Sequence, residues 1–151
     1  MFGVVTPLLM LAIDHLWFEG VSLQRVRDLG SRPLGFRVLV VFYSGVTEEL
    51  LYRLFLTTFV AWSTHVAVSP FTKRARSLAQ WVGVVVAAIV FGLAHVGNLP
   101  EAEHAVLRAV TINGVAGLVL GWLYWSRGLE VAILTHMVAI AVLYIAIPVL
   151  I

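Results

Sequence analysis

The 151 residues are 61% hydrophobic and 12% charged with a formal net charge of +2, and the mean hydropathy is +0.99; a soluble domain carries about a quarter charged residues. This composition excludes a soluble globular protein and a nucleic-acid binder, and it points to a multi-pass integral membrane protein in contact with membrane lipids. The absence of cysteine also excludes disulfides, thiolate metal ligands and a cysteine nucleophile.

Five apolar segments, at about 2–18, 37–66, 79–98, 105–126 and 129–150, predict an all-α fold. Four of them form a core of transmembrane helices, and the N-terminal segment adds a fifth. The whole of 1–151 reads as a single membrane-embedded unit, with its motif core at about 37–150.

In the first segment, Asp14 and His15 leave a weakly amphipathic stretch that fits either a crossing or a position in the interface. It has no basic n-region, and Asp14-His15 stands where a small-residue cleavage motif would fall, so a removable signal peptide is not expected. The basic cluster from Arg25 to Arg37, with Gly30, Pro33 and Gly35, reads as a loop. The second segment, about 30 residues at a rise of 1.5 Å, measures roughly 45 Å and must tilt or project beyond the hydrocarbon. Lys73, Arg74 and Arg76 mark the next loop. Basic residues divide five against four between the two membrane faces, which leaves the orientation open.

The third segment carries Phe91 and His95 near its end, and Gly97, Asn98 and Pro100 close it. The fourth holds Asn113 and a G-x-x-x-G pair, Gly117 and Gly121, suited to close helix packing within or between chains. His136 lies well inside the fifth, between Thr135 and Met137. Tryptophans at 17, 62, 81, 122 and 125 fit belt positions at the interfaces.

Charge inside the second segment is the strongest functional signal. An ionised group near the bilayer centre costs roughly 2.5 to 3.5 kcal/mol on insertion scales, yet Glu48, Glu49 and Arg53 sit together. On a helix, Glu49 and Arg53 are four residues apart and can pair, while Glu48 is turned about 100° away and shares a face with Tyr52. One acid is therefore neutralised and one is left over. A spare carboxylate with two membrane histidines, His95 and His136, supplies what hydrolysis by activated water requires: a base, a ring that orients water and an oxyanion donor. Counted from one membrane face at 1.5 Å per residue, Glu48 lies roughly 16 Å deep, His95 about 5 Å and His136 about 20 Å. Tilt or a water-filled cavity must close that spread.

Glu48-Glu49-Leu-Leu-Tyr-Arg53 resembles the E-E-x-x-x-R motif of the CAAX protease and bacteriocin-processing family, intramembrane endopeptidases typified by the prenyl-protein CAAX endopeptidase. Phe91-Gly-Leu-Ala-His95 is similar to the family's F-x-x-x-H motif, and His136 occupies its third motif after a similar run from Gly117 to Ile133. The resemblance implies that Glu48 activates water, that His95 helps to hold it, and that His136 polarises the scissile carbonyl or stabilises the oxyanion. Glu49 and Arg53 would order the site. The family places an Asn or Asp four residues after this histidine, where this chain has Ile140; Asn113 on the fourth helix is a candidate for the missing amide. The implied substrate is a peptide or protein with a membrane-associated terminus, and the implied location a prokaryotic cytoplasmic membrane.

No cofactor is expected. The nearest alternative is a zinc form of the same protease with Glu48, His95 and His136 as ligands, although H-E-x-x-H is absent. From a different class comes a non-catalytic membrane binding or bacteriocin-immunity protein, which Ile140 supports. Serine chemistry at Ser44-Gly45 lacks the expected glycine, because Phe42 stands there. Only two aspartates, Asp14 and Asp28, are present and neither suits an aspartyl protease. His15, His65 and His104 read as packing or interfacial residues.

Overall fold

A computed structural model describes residues 1–18, 21–98 and 104–150, and among them every regular element is helical. Helices α1 (Phe2–Trp17) and α2 (Val21–Gly30) precede α3 (Leu34–Tyr43). The chain then continues through wide π-type turns at Ser44–Glu48 and Leu50–Thr57 into α4 (Thr58–Val68), so that 34–68 is helical throughout. Helix α5 (Ala75–Ala94) ends in a short 3₁₀ turn at Val96–Asn98. Helices α6 (Ala105–Arg127) and α7 (Leu129–Ala141) follow, and a further wide turn at Val142–Ala146 leads into α8 (Ile147–Leu150).

Three helical stretches, Ala75–Ala94, Ala105–Arg127 and Leu129–Leu150, are long and apolar enough to cross a membrane, and Phe2–Trp17 is a shorter apolar helix. Residues 34–68, the remaining member of the expected core, hold the buried charges in their middle. Lipid tails are as apolar as leucine, so helices in a membrane associate through close packing of small residues. Here α5 turns Ala79, Gly83, Ala87 and Ala88 inward. A Cβ on Gly117 would stand 2.9 Å from Ala88 Cα, and one on Gly121 would stand 2.8 Å from Val84 Cγ1. The G-x-x-x-G pair thus serves the α5–α6 seam within the chain.

Two departures from the sequence reading lie near the N-terminus. The basic stretch read as a loop contains α2, whose Val26 is buried; Gly30 at its end comes so close to α8 that a Cβ there would collide with Pro148. Arg108, counted among the interfacial cations, is buried, with its Nε 2.7 Å from Asp14 Oδ1. An acid on α1 and a base on α6 neutralise each other inside the bundle, where either alone would be costly. His15, beside Asp14, is exposed. Helix α1 packs on α6 and α7 with Gly3, Thr6, Pro7 and Asp14 buried, so it belongs to the bundle.

Candidate active site

The site begins at Gly45. A Cβ there would run into Met137, so only glycine lets the helix carrying the two glutamates pass this close to α7. The helix is wide here, at Ser44–Glu48, and again at Leu50–Thr57. Thr57 Oγ1 donates to Tyr52 O at 2.7 Å and Thr58 Oγ1 to Arg53 O at 3.3 Å, in each case a carbonyl five residues back. Such wide turns are rare and cluster at functional sites. They rotate the chain less per residue than an α-helix does, so Glu48 and Glu49 address adjacent parts of the same interior space.

Glu49 is fully buried and is held from two sides. Its Oε2 lies 3.2 Å from Arg53 Nε, and its Oε1 accepts a hydrogen bond from His136 Nδ1 at 2.8 Å. The Arg53 guanidinium also lies over the Phe91 ring, with Cζ 4.7 Å from the ring centroid, a cation–π contact within the usual reach. Phe91 is wedged among the functional groups: its ring centroid is 5.1 Å from Tyr52, 4.5 Å from His95 and 6.0 Å from His136. The phenylalanine of F-x-x-x-H therefore covers the buried cation and spaces the two imidazoles.

Glu48 is different. Its side chain is 22% exposed, and Oε2 stands 3.9 Å from both His95 Nε2 and His136 Nε2. That oxygen is shielded from solvent and takes no hydrogen bond from a described protein group. A separation of 3.9 Å is too long for a direct bond and suits one water bonded to both ends. The tautomers follow from the other face of each ring. His95 Nδ1 donates to Phe91 O at 2.7 Å, and His136 Nδ1 donates to the Glu49 carboxylate. Both acceptors are oxygens that cannot donate, so each neutral ring turns an Nε2 lone pair toward Glu48. His136 donates from Nε2 only when it is an imidazolium.

The three side chains singled out in the sequence therefore converge, despite the spread in counted depth. A cavity of about 120 Å³ adjoins them, lined in part by Phe91, His95, His136, Thr135, Asn113 and Ile140. Asn113 donates from Nδ2 to Ala109 O at 3.1 Å, and its amide keeps a second N–H. Ile140 presents an apolar side chain to the same cavity. His65 and His104 are exposed and stand outside its lining. The sequence reading gave Phe91 no task beyond its motif and missed the Glu49–His136 bond. An aromatic one turn before a membrane histidine was the available signal for the first, and nothing in linear spacing could reveal the second.

Two imidazole nitrogens and a carboxylate also form a zinc donor set. Tetrahedral zinc with bonds of about 2.0–2.2 Å would hold donor atoms about 3.3 Å apart. The 3.9 Å separations are wider than that, and no group of three His, Cys, Asp or Glu among the described residues is arranged to hold a metal ion.

A helical bundle with spans apolar enough to cross a membrane and a carboxylate–imidazole cluster in its interior fits an integral membrane protein. A family model described as "Rce1-like: Type II CAAX prenyl endopeptidase Rce1-like" matches residues 30–142. The chain belongs to this family, a family of proteases, and residues 48, 49, 53, 91, 95 and 136 all fall inside the match. Comparison with curated proteins and with solved structures finds no match.

Proposed function

We propose that the chain is an intramembrane endopeptidase of glutamic type that works without a metal, cutting a peptide or protein whose terminus is associated with a prokaryotic cytoplasmic membrane. The observation that carries the reading is Glu48 Oε2, shielded and without a hydrogen bond from a described protein group, at 3.9 Å from two imidazole Nε2 atoms.

Glu48 takes a proton from water, and the hydroxide forms a C–O bond to the scissile carbonyl carbon. The Nε2 lone pair of His95 accepts the second O–H of that water and fixes its direction. Negative charge then gathers on the carbonyl oxygen, where the protonated His136 ring donates from Nε2. Glu49 holds the opposite nitrogen and stabilises this cation, while Arg53 neutralises Glu49. The proton on Glu48 passes to the leaving nitrogen as the C–N bond breaks, giving an acid and an amine. Asn113 supplies a further donor in place of the amide that Ile140 lacks.

The test is cleavage of membrane-anchored peptides by purified protein in vesicles after exhaustive chelation, with products identified by mass. Cleavage that continues in metal-free protein is expected; loss on chelation and return with zinc would establish the metal-dependent version. Ile140 in the cavity wall favours one rival, a non-catalytic binding or immunity protein. That rival predicts no product from wild type and unchanged partner binding by Glu48→Gln.

A further inference from the structure

The family match covers 30–142, yet the cavity beside the histidines is not built from that stretch alone. Thr6, Met10 and Leu11 of α1 and Arg25 and Val26 of α2 line it from before the match, and Leu143 and Tyr144 from beyond it. The histidine side of the cavity comes from the shared core, and this part of its wall is supplied by residues outside that core.

Helix α1 is fastened at both ends. Near its start, a Cβ on Gly3 would stand 2.8 Å from Val138 Cβ and 2.9 Å from Thr135 O, the carbonyl just before His136. Near its end, Asp14 is ion-paired with Arg108 at 2.7 Å in a buried setting. Met10 and Leu11 lie between these anchors, half-buried, with their side chains on the cavity. Its volume of about 120 Å³ is close to that of the engineered apolar cavity of about 150 Å³ that accepts benzene. Such a space takes one branched aliphatic or small aromatic group, not an extended chain.

We propose that α1 forms the specificity wall of the site, and that Met10 and Leu11 set the size of the one apolar substrate side chain seated beside the scissile bond. This rests on the peptidase reading above, and it names the part of the chain that selects the substrate. An added or missing methylene in an apolar pocket changes selectivity roughly 10- to 200-fold, so substitutions at these two positions reshape the substrate profile.

The probe is an N-terminally palmitoylated decapeptide in vesicles, with leucine, phenylalanine, alanine or glycine scanned through successive positions. With Met10→Phe, kcat/KM for the leucine and phenylalanine peptides at the sensitive position falls at least tenfold, while the alanine and glycine peptides are cut as before. Met10→Ala shifts preference toward phenylalanine. Leu9→Phe, at an exposed position of the same helix, leaves the profile unchanged. An unchanged profile in both Met10 variants overturns the proposal, as does an equal change in Leu9→Phe, which would assign the effect to helix docking. A second arm does not depend on turnover: Glu48→Gln protein is irradiated with the same peptide carrying photo-leucine. Adducts on the α1 fragment at Met10 or Leu11 support the wall even where wild type cuts nothing, a result that would remove only the peptidase reading. Adducts confined to outward positions on α4 or α5 overturn it.

Discussion

The two sides of the wide helical turn that carries the acids are built in opposite ways. On one side Glu49 is fully buried, with Oε2 ion-paired to Arg53 at 3.2 Å and Oε1 hydrogen-bonded to His136 at 2.8 Å, so its charge is balanced inside the bundle. On the other, its neighbour Glu48 has an oxygen that takes no hydrogen bond from a described protein group, 3.9 Å from the Nε2 atoms of two rings. Identical side chains one residue apart thus do different work. The acid with a buried counter-ion is tied into the frame, and the other is the one proposed to react.

The largest expected effect falls on the open side. Glu48→Gln should lower kcat by roughly 10²- to 10⁴-fold, the range for losing a general base, with thermal unfolding in detergent unchanged. Glu49→Gln should differ by lowering stability as well as turnover. It leaves the Arg53 charge buried without its counter-ion, at a cost of about 3–5 kcal/mol in stability, measured by denaturant unfolding in micelles. Equal stability losses in the two variants would erase the contrast.

Gly45→Ala is a milder probe of how the two sides are brought together. Its Cβ must displace Met137, and overpacking of this kind costs about 1–3 kcal/mol. Activity should fall through a misplaced His136, and Met137→Ala in the same chain should restore part of it. The smallest effect is expected at Asn113. Asn113→Ala should reduce kcat about tenfold, less than the roughly 10²–10³ lost with a principal oxyanion donor. Unchanged turnover there, with His136→Ala inactive, would remove Asn113 from the mechanism.

How much of this could be read beforehand differs between regions for physical reasons. Glu48, Glu49, Arg53, His95 and His136 were legible because charge and imidazole in apolar runs are costly, and helical spacing alone pairs Glu49 with Arg53. The fifth segment, read at about 129–150, was legible because a long apolar run has few other options, and Leu129–Leu150 matches it. The Glu49–His136 bond was not legible, since it joins residues 87 apart through a helix crossing that depends on Gly45. Helix α2 was hidden because its basic residues and flanking glycines resemble a loop, and its apolar face counts only once α8 is present to meet it. The Asp14–Arg108 pair was overlooked because each charge, taken alone, sits near a segment end and looks interfacial.

The central claim is that Glu48 and the two rings share one water. A high-resolution experimental structure of the protein tests it most directly. The account predicts a single ordered oxygen about 2.6–3.2 Å from Glu48 Oε2 and from both Nε2 atoms. A metal peak at about 2.0–2.2 Å from all three, or rings turned outward with Glu48 paired to a second cation, would contradict it.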